Sequence, residues 1–102
     1  MEFIETPLFA RAAKGLLNDD ELGQLQVSLS LYPGAGTVIP GSGGLRKLRW
    51  MTGGRGKRGG LRVIYYWVTA DHQIYLLYAY KKNRQEDLTM EEIKYLRSLL
   101  EE

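Results

Sequence analysis

The chain has 102 residues, 44% of them hydrophobic and 11% aromatic, and its 14 basic and 12 acidic side chains leave a formal net charge of +2. That length suits one small globular domain over residues 1–102 with a single core, and not two. The sequence holds no cysteine, which excludes a disulfide framework and a thiolate metal site. The opening segment MEFIETPLFARAAKG has neither a basic n-region nor a long apolar h-region. No apolar run approaches the roughly 18 residues of a membrane span, so the expectation is a cytoplasmic protein with no membrane partner.

Taken in chain order, the residues predict an α+β layout. Glu2 to Glu5 reads as a short strand. Thr6-Pro7 follows as a helix N-cap with proline at the first helical position, where its missing N–H costs nothing. Leu8, Phe9, Ala12, Ala13 and Leu16 give that helix an apolar face. Asn18-Asp-Asp-Glu21 has the form of a capping box and opens a second helix, with Leu22, Leu25, Leu29 and Tyr32 along one stripe. Pro33 ends it by pushing Tyr32 out of helical geometry. A Gly- and Pro-rich loop over 33–44 leads to three predicted strands, Leu45–Trp50, Leu61–Val68 and Gln73–Tyr80. The last two are dense in Val, Ile, Tyr and Trp and are joined by the short polar segment Thr69–His72, which predicts an antiparallel hairpin. Thr89-Met-Glu-Glu92 is another capping box, opening a C-terminal helix with Met90, Ile93, Leu96 and Leu100 as its core stripe.

The charges are unevenly spread. Residues 45–62 carry seven basic side chains and no acidic one, so half of all Lys and Arg lies in under a fifth of the chain. Charge at that density repels itself unless an anionic partner neutralises it; the plain alternative is a solvated loop. Alternation along a strand sends Lys47 and Arg49 to one face and Leu48 and Trp50 to the other. Arg62 falls on the face of Ile64 and Tyr66, an expensive place for a guanidinium unless it reaches water or an anion. If the hairpin is antiparallel, Lys82 lies at the same end of the sheet as Arg62. Lys47, Arg49, Arg62 and Lys82 are therefore expected to line one basic surface beside the 53–60 loop.

Several chemistries fail on the residues present. Gly56-Lys57 is not a nucleotide P-loop, because Met51 stands at the first glycine and Arg58 where Ser or Thr is needed. His72, the only histidine, sits in a predicted turn, and Glu86, Asp87, Glu91 and Glu92 read as loop and helix N-terminal residues away from the basic face. No metal ligand set or cofactor motif is visible. What clustered cations can do is stabilise the charge that builds on nonbridging oxygens when an RNA 2′-OH attacks its own phosphodiester. A lysine crowded by other cations can also serve as acid or base.

The succession of "LRKLRW", the Gly-Lys-Arg-Gly-Gly loop, "LRVIYYW", "IYLLYAY" and "KKNRQEDLTMEE" resembles the RelE/HigB toxins of bacterial type II toxin–antitoxin systems, and is most similar to the HigB branch. The resemblance covers essentially the whole chain, with residues 41–89 the most specific part. It implies the small RelE-like fold, an antiparallel-dominated sheet with two N-terminal helices and a C-terminal helix packed on it. It also implies a ribosome-dependent endoribonuclease that cuts mRNA in the decoding site, without metal or cofactor, and leaves a 2′,3′-cyclic phosphate. Carried over residue by residue, Lys47, Arg49, Arg62 and Lys82 match the family's catalytic cations. Leu88 stands about where RelE has a catalytic tyrosine, which leaves Lys57, Lys82 or a strand tyrosine as substitute base. Arg55, Lys57 and Arg58, with Arg46, Lys81 and Arg84, are expected to contact ribosome or messenger. The implied partners are the ribosome, mRNA and a cognate antitoxin, in this branch a helix-turn-helix protein, so that DNA is met only through the antitoxin. Two rival functions remain: a ParE-like gyrase poison, which would not need the clustered cations, and a non-catalytic RNA-binding module.

Overall fold

The computed structural model describes residues 1–51, 60–85 and 87–101. Its elements are β1 (Glu2–Glu5), α1 (Pro7–Ala13), α2 (Asp19–Leu31), β2 (Thr37–Val38), β3 (Arg46–Trp50), β4 (Leu61–Val68), β5 (Gln73–Lys81) and α3 (Met90–Ser98). The strands form one sheet in the order β1-β5-β4-β3-β2. β1 runs parallel to β5 and every other pair is antiparallel, so the α+β, mostly antiparallel architecture predicted from the sequence is the one observed.

Local chemistry fixes the helix starts. Thr6 Oγ1 accepts from the Phe9 N–H at 3.0 Å with Pro7 in the first turn. Asn18 and Glu21 form a reciprocal capping box, as do Thr89 and Glu92, so each helix begins with its orphan N–H groups partly satisfied. α1 and α2 cover one face of the sheet, burying Phe9, Ala13, Leu25 and Leu29 against Leu61, Val63, Tyr65, Ile74, Leu76 and Ala79. α3 covers the other, burying Ile93 and Leu96 against Leu45, Ile64, Leu77 and Tyr80. β4 is thus apolar on both sides, which is why its sequence reads as a continuous run.

The structure differs from the sequence reading at three places outside the site. Tyr32 and Met90 are exposed instead of core: α2 stops at Leu31, and Met90 is the first helical residue, which the cap turns towards solvent. Within the 33–44 loop, Thr37 and Val38 make a short edge strand on β3 that two residues are too few to signal. That loop is riveted to the sheet by Tyr65, whose hydroxyl accepts from Gly36 N–H at 2.8 Å and donates to the Pro33 carbonyl at 2.7 Å.

β4 and β5 lose register between Ile64 and Tyr65: Ile64 pairs with Tyr78 but Tyr65 pairs with Leu76. Leu77 is the extra residue, a β-bulge. Before it Ile74 and Leu76 face α1 and α2; after it Ala79 does, and Leu77, Tyr78 and Tyr80 lie on the α3 side.

Candidate functional site

Residues opposite one another in an antiparallel pair share a face, so the register assembles the site row by row. Arg49 faces Arg62 across β3 and β4, and Arg62 faces Tyr80 across β4 and β5. One row over, Lys47 faces Ile64 and Ile64 faces Tyr78. Both rows lie on the α3 side, while Leu48 and Trp50 pack into the core under α1 and α2. Two arginines directly opposite repel, which makes this a place that favours an anion.

Arg62, which the sequence set on an apolar face as costly unless it reached water or an anion, is buried away from water. It is 5% exposed, and its Nη1 donates to the Leu61 carbonyl at 3.2 Å. Lys82 follows β5 and its N–H donates to the Gly60 carbonyl at 3.3 Å, which puts it at the same end of the sheet as Arg62. Lys47 donates to Asp87 Oδ1 at 2.5 Å. This pair corrects the expectation that no carboxylate stands near the basic face: the turn after β5 brings Asp87 back over β3 before α3 begins. The hydrogen bond and charge of Lys47 hold the Asp87 carboxyl below the ordinary value of 3.8, with Arg62 and Lys82 adding smaller pulls in the same direction. One of the four predicted catalytic cations thus contacts Asp87, two more act on it by charge, and the fourth, Arg49, stands opposite Arg62.

Tyr80 is buried, stacks on Tyr78 with 5.9 Å between ring centroids, and its hydroxyl has no hydrogen-bond partner among the described residues. Burial first, then the charges of Asp87, Glu92 and Tyr78, push its pKa up against the opposing pull of Arg62. That is the wrong direction for a general base near neutral pH. Leu88 packs half-buried onto the α3 core.

The other predicted contacts separate. Arg46 faces away from the site: its Nη1 donates to the carbonyls of Gly34 at 3.2 Å and Gly36 at 2.7 Å, and its guanidinium lies over Trp67. Lys81 pairs with Leu61 at the end of β5, and Arg84 is exposed in the following turn. Arg55, Lys57 and Arg58 fall outside the described residues. His72 occupies a left-handed turn at φ 53°. Among the described residues, no three His, Asp or Glu side chains gather to hold a metal ion, and no helix is long and apolar enough to cross a membrane.

Two hollows flank the segment between Asp87 and α3. One, of about 270 Å³, is lined by Lys47, Asp87, Leu88 and the Thr37–Pro40 strand and turn. The other, of about 470 Å³, lies between the start of α1, Tyr78 and the first turns of α3. Leu88 walls both.

A three-layer α+β protein with a cation row on one sheet face is the class that the geometry defines. Two comparisons narrow it. The family model of the RelE toxin of the RelE/RelB toxin–antitoxin system matches residues 1–102. A solved structure of a double arginine-to-alanine mutant of E. coli toxin RelE in the free state superposes with a TM-score of 0.58 at 15% identity. That match covers 97% of this chain and 95% of the other, and shows the shared fold. The chain belongs to the RelE toxin family, and is a toxin of a toxin–antitoxin system.

Proposed function

We propose that this toxin is a ribosome-dependent mRNA endoribonuclease. It cuts by attack of an RNA 2′-oxygen on the adjacent phosphorus, forming a 2′,3′-cyclic phosphate and releasing a 5′-hydroxyl. The observation that carries this is Asp87: one carboxylate drawn down by Lys47, Arg62 and Lys82 together marks where a phosphodiester would sit. In this scheme the incoming phosphate takes Lys47 from Asp87. Arg49 and Arg62 stabilise the charge developing on the nonbridging oxygens, and Lys82 gives a proton to the departing 5′-oxygen. Released from Lys47 and beside a new anion, Asp87 becomes more basic and accepts the 2′-OH proton. Tyr80, kept neutral by burial, supports Arg62 and takes no proton.

Arg55, Lys57 and Arg58, together with Lys81 and Arg84, are assigned to contacts with ribosomal or messenger RNA; Arg46, turned to the opposite face, is not. The antitoxin is taken to be a helix-turn-helix protein that also meets the operator DNA. Primer extension on translated mRNA after induction tests the proposal: new codon-phased 5′ ends are expected. Their absence, or loss of gyrase supercoiling with messages intact, would overturn it.

A further inference from the structure

The larger hollow is separate from the cation rows, yet continuous with them. Leu8, Leu88 and Leu96 form its apolar floor, Tyr78 and Tyr95 supply aromatic rings, and Glu91 stands on its rim. Tyr78 belongs to the row next to Arg49, Arg62 and Tyr80 and stacks directly on Tyr80. Side chains two residues apart along a strand are separated by roughly 7 Å, about the reach of a nucleotide from its phosphate to its base. The charge pattern has a direction. Cations lie on the sheet, whereas at the mouth of the hollow Glu92 is already committed, its Oε1 accepting from Thr89 N–H and Gln85 Nε2 at 2.8 Å each. Glu91 remains as the exposed carboxylate facing the hollow. A strand of RNA matches both halves, because its backbone is anionic while the edges of its bases carry N–H donors.

We propose that this hollow is a nucleobase subsite that takes the base next to the scissile phosphate and prefers guanine. Tyr95 and Tyr78, both lining the hollow, give the base aromatic faces on which to stack. The two oxygens of Glu91 accept the adjacent N1–H and N2–H donors of guanine; adenine and cytosine offer one amino donor beside a ring acceptor, and uracil sets two carbonyls against the carboxylate. The subsite would give the toxin a base preference built into its own chain. The proposal rests on RNA being the substrate of the cation rows, and its test uses binding, so that it can fail separately from the cleavage reaction.

The probes are 2′-O-methyl trinucleotides, which cannot be cut, differing only in the base at one position. For the unmodified protein, the guanine probe should bind tightest and the uracil probe weakest. Tyr95→Ala should weaken every probe about tenfold, the scale of one lost stacking contact, and Tyr95→Phe should restore binding. Tyr95 is 57% exposed, so the substitution opens no core, and an unchanged thermal melt is the control. Glu91→Gln should erase the preference for guanine while leaving the uracil probe bound as before or more tightly. Equal binding of all four probes, or an unaltered series in Tyr95→Ala, would overturn the subsite, and so would Tyr95→Ala impairing only capture of the antitoxin. Base-selective binding by a protein that yields no codon-phased ends would leave the subsite standing and defeat the cleavage proposal alone.

Discussion

Lys47 and Asp87 are 40 positions apart in the chain and joined by an ion pair of 2.5 Å on the sheet face that carries Arg49 and Arg62. Asp87 has a lowered folded-state pKa, so whatever the pair adds to stability is present above the unfolded value near 3.8 and is lost as pH falls through the lowered one. A carboxyl-detected NMR titration should find Asp87 ionising below 3.8. In Lys47→Ala the midpoint should move up but not all the way, because Arg62 and Lys82 remain. An unmoved midpoint would show that Lys47 is not its main partner.

Arg62→Ala should lower single-turnover cleavage on programmed ribosomes by about 10²–10³, the usual cost of one transition-state donor. Cosedimentation with ribosomes should stay within about twofold, since an electrostatic role at the developing charge acts on the transition state more than on binding. Equal losses in both assays would favour a simple RNA binder.

Asp87→Asn separates a base from a counter-ion. As the acceptor of the 2′-OH proton, Asp87 makes the rate rise with pH through its pKa in the complex and then level off. The asparagine variant should lose that acid limb and about 10²–10⁴ in rate, while binding single-stranded RNA more tightly because a negative charge has gone. A variant that cleaves normally would remove Asp87 from the chemistry.

The rivet at Tyr65 predicts a coupled pair of stability losses. Tyr65→Phe strands the buried Gly36 N–H and should cost about 1–3 kcal/mol. Gly36→Ala would put a methyl 2.8 Å from the Tyr65 ring and 3.1 Å from the Lys47 carbonyl, costing about 1–3 kcal/mol in strain. Urea unfolding of the double variant should show less than the sum, since both changes break one contact.

In the core, Leu25→Ala and Leu29→Ala remove side chains that are wholly buried between α2 and the sheet. Each should cost about 2–5 kcal/mol by thermal or urea unfolding. Thr89→Ala, which removes the oxygen that accepts from Glu92 N–H, should cost nearer 1 kcal/mol.

What the sequence made legible was what local chemistry decides. Thr6, Asn18 and Thr89 announce helix starts because a cap needs only its own next three residues. The alternation at Lys47, Leu48, Arg49 and Trp50 assigns faces because it needs only the strand's pleat; the same rule sets Arg46 with Leu48, against the expectation that it joins Lys81 and Arg84 as an RNA contact. Asp87 was hidden because its partner is set by the path of the chain between β5 and α3; its place in "EDLTMEE" reads equally well as the lead-in to a capping box. The burial of Arg62 was hidden for a similar reason, since what closes over a strand residue is set by tertiary packing and not by the strand's own alternation. The hollow beside α3 needs Leu8, Tyr78 and Tyr95 from three elements, and no spacing links them.

The extra residue in β5 works as a change of parity. Upstream of Leu77 the even-numbered side chains go to the α1 and α2 layer; downstream the odd-numbered ones do. Excising Leu77 would restore plain alternation and leave both faces as they are, with Tyr78 and Tyr80 still beside Arg62 and Ala79 still towards α1 and α2, at the cost of the buried side chain that Leu77 adds on the α3 side. A residue removed elsewhere in the paired strand, with the bulge kept, exchanges inside for outside beyond the cut; Leu77 is the position where a single-codon deletion spares the arrangement of the site.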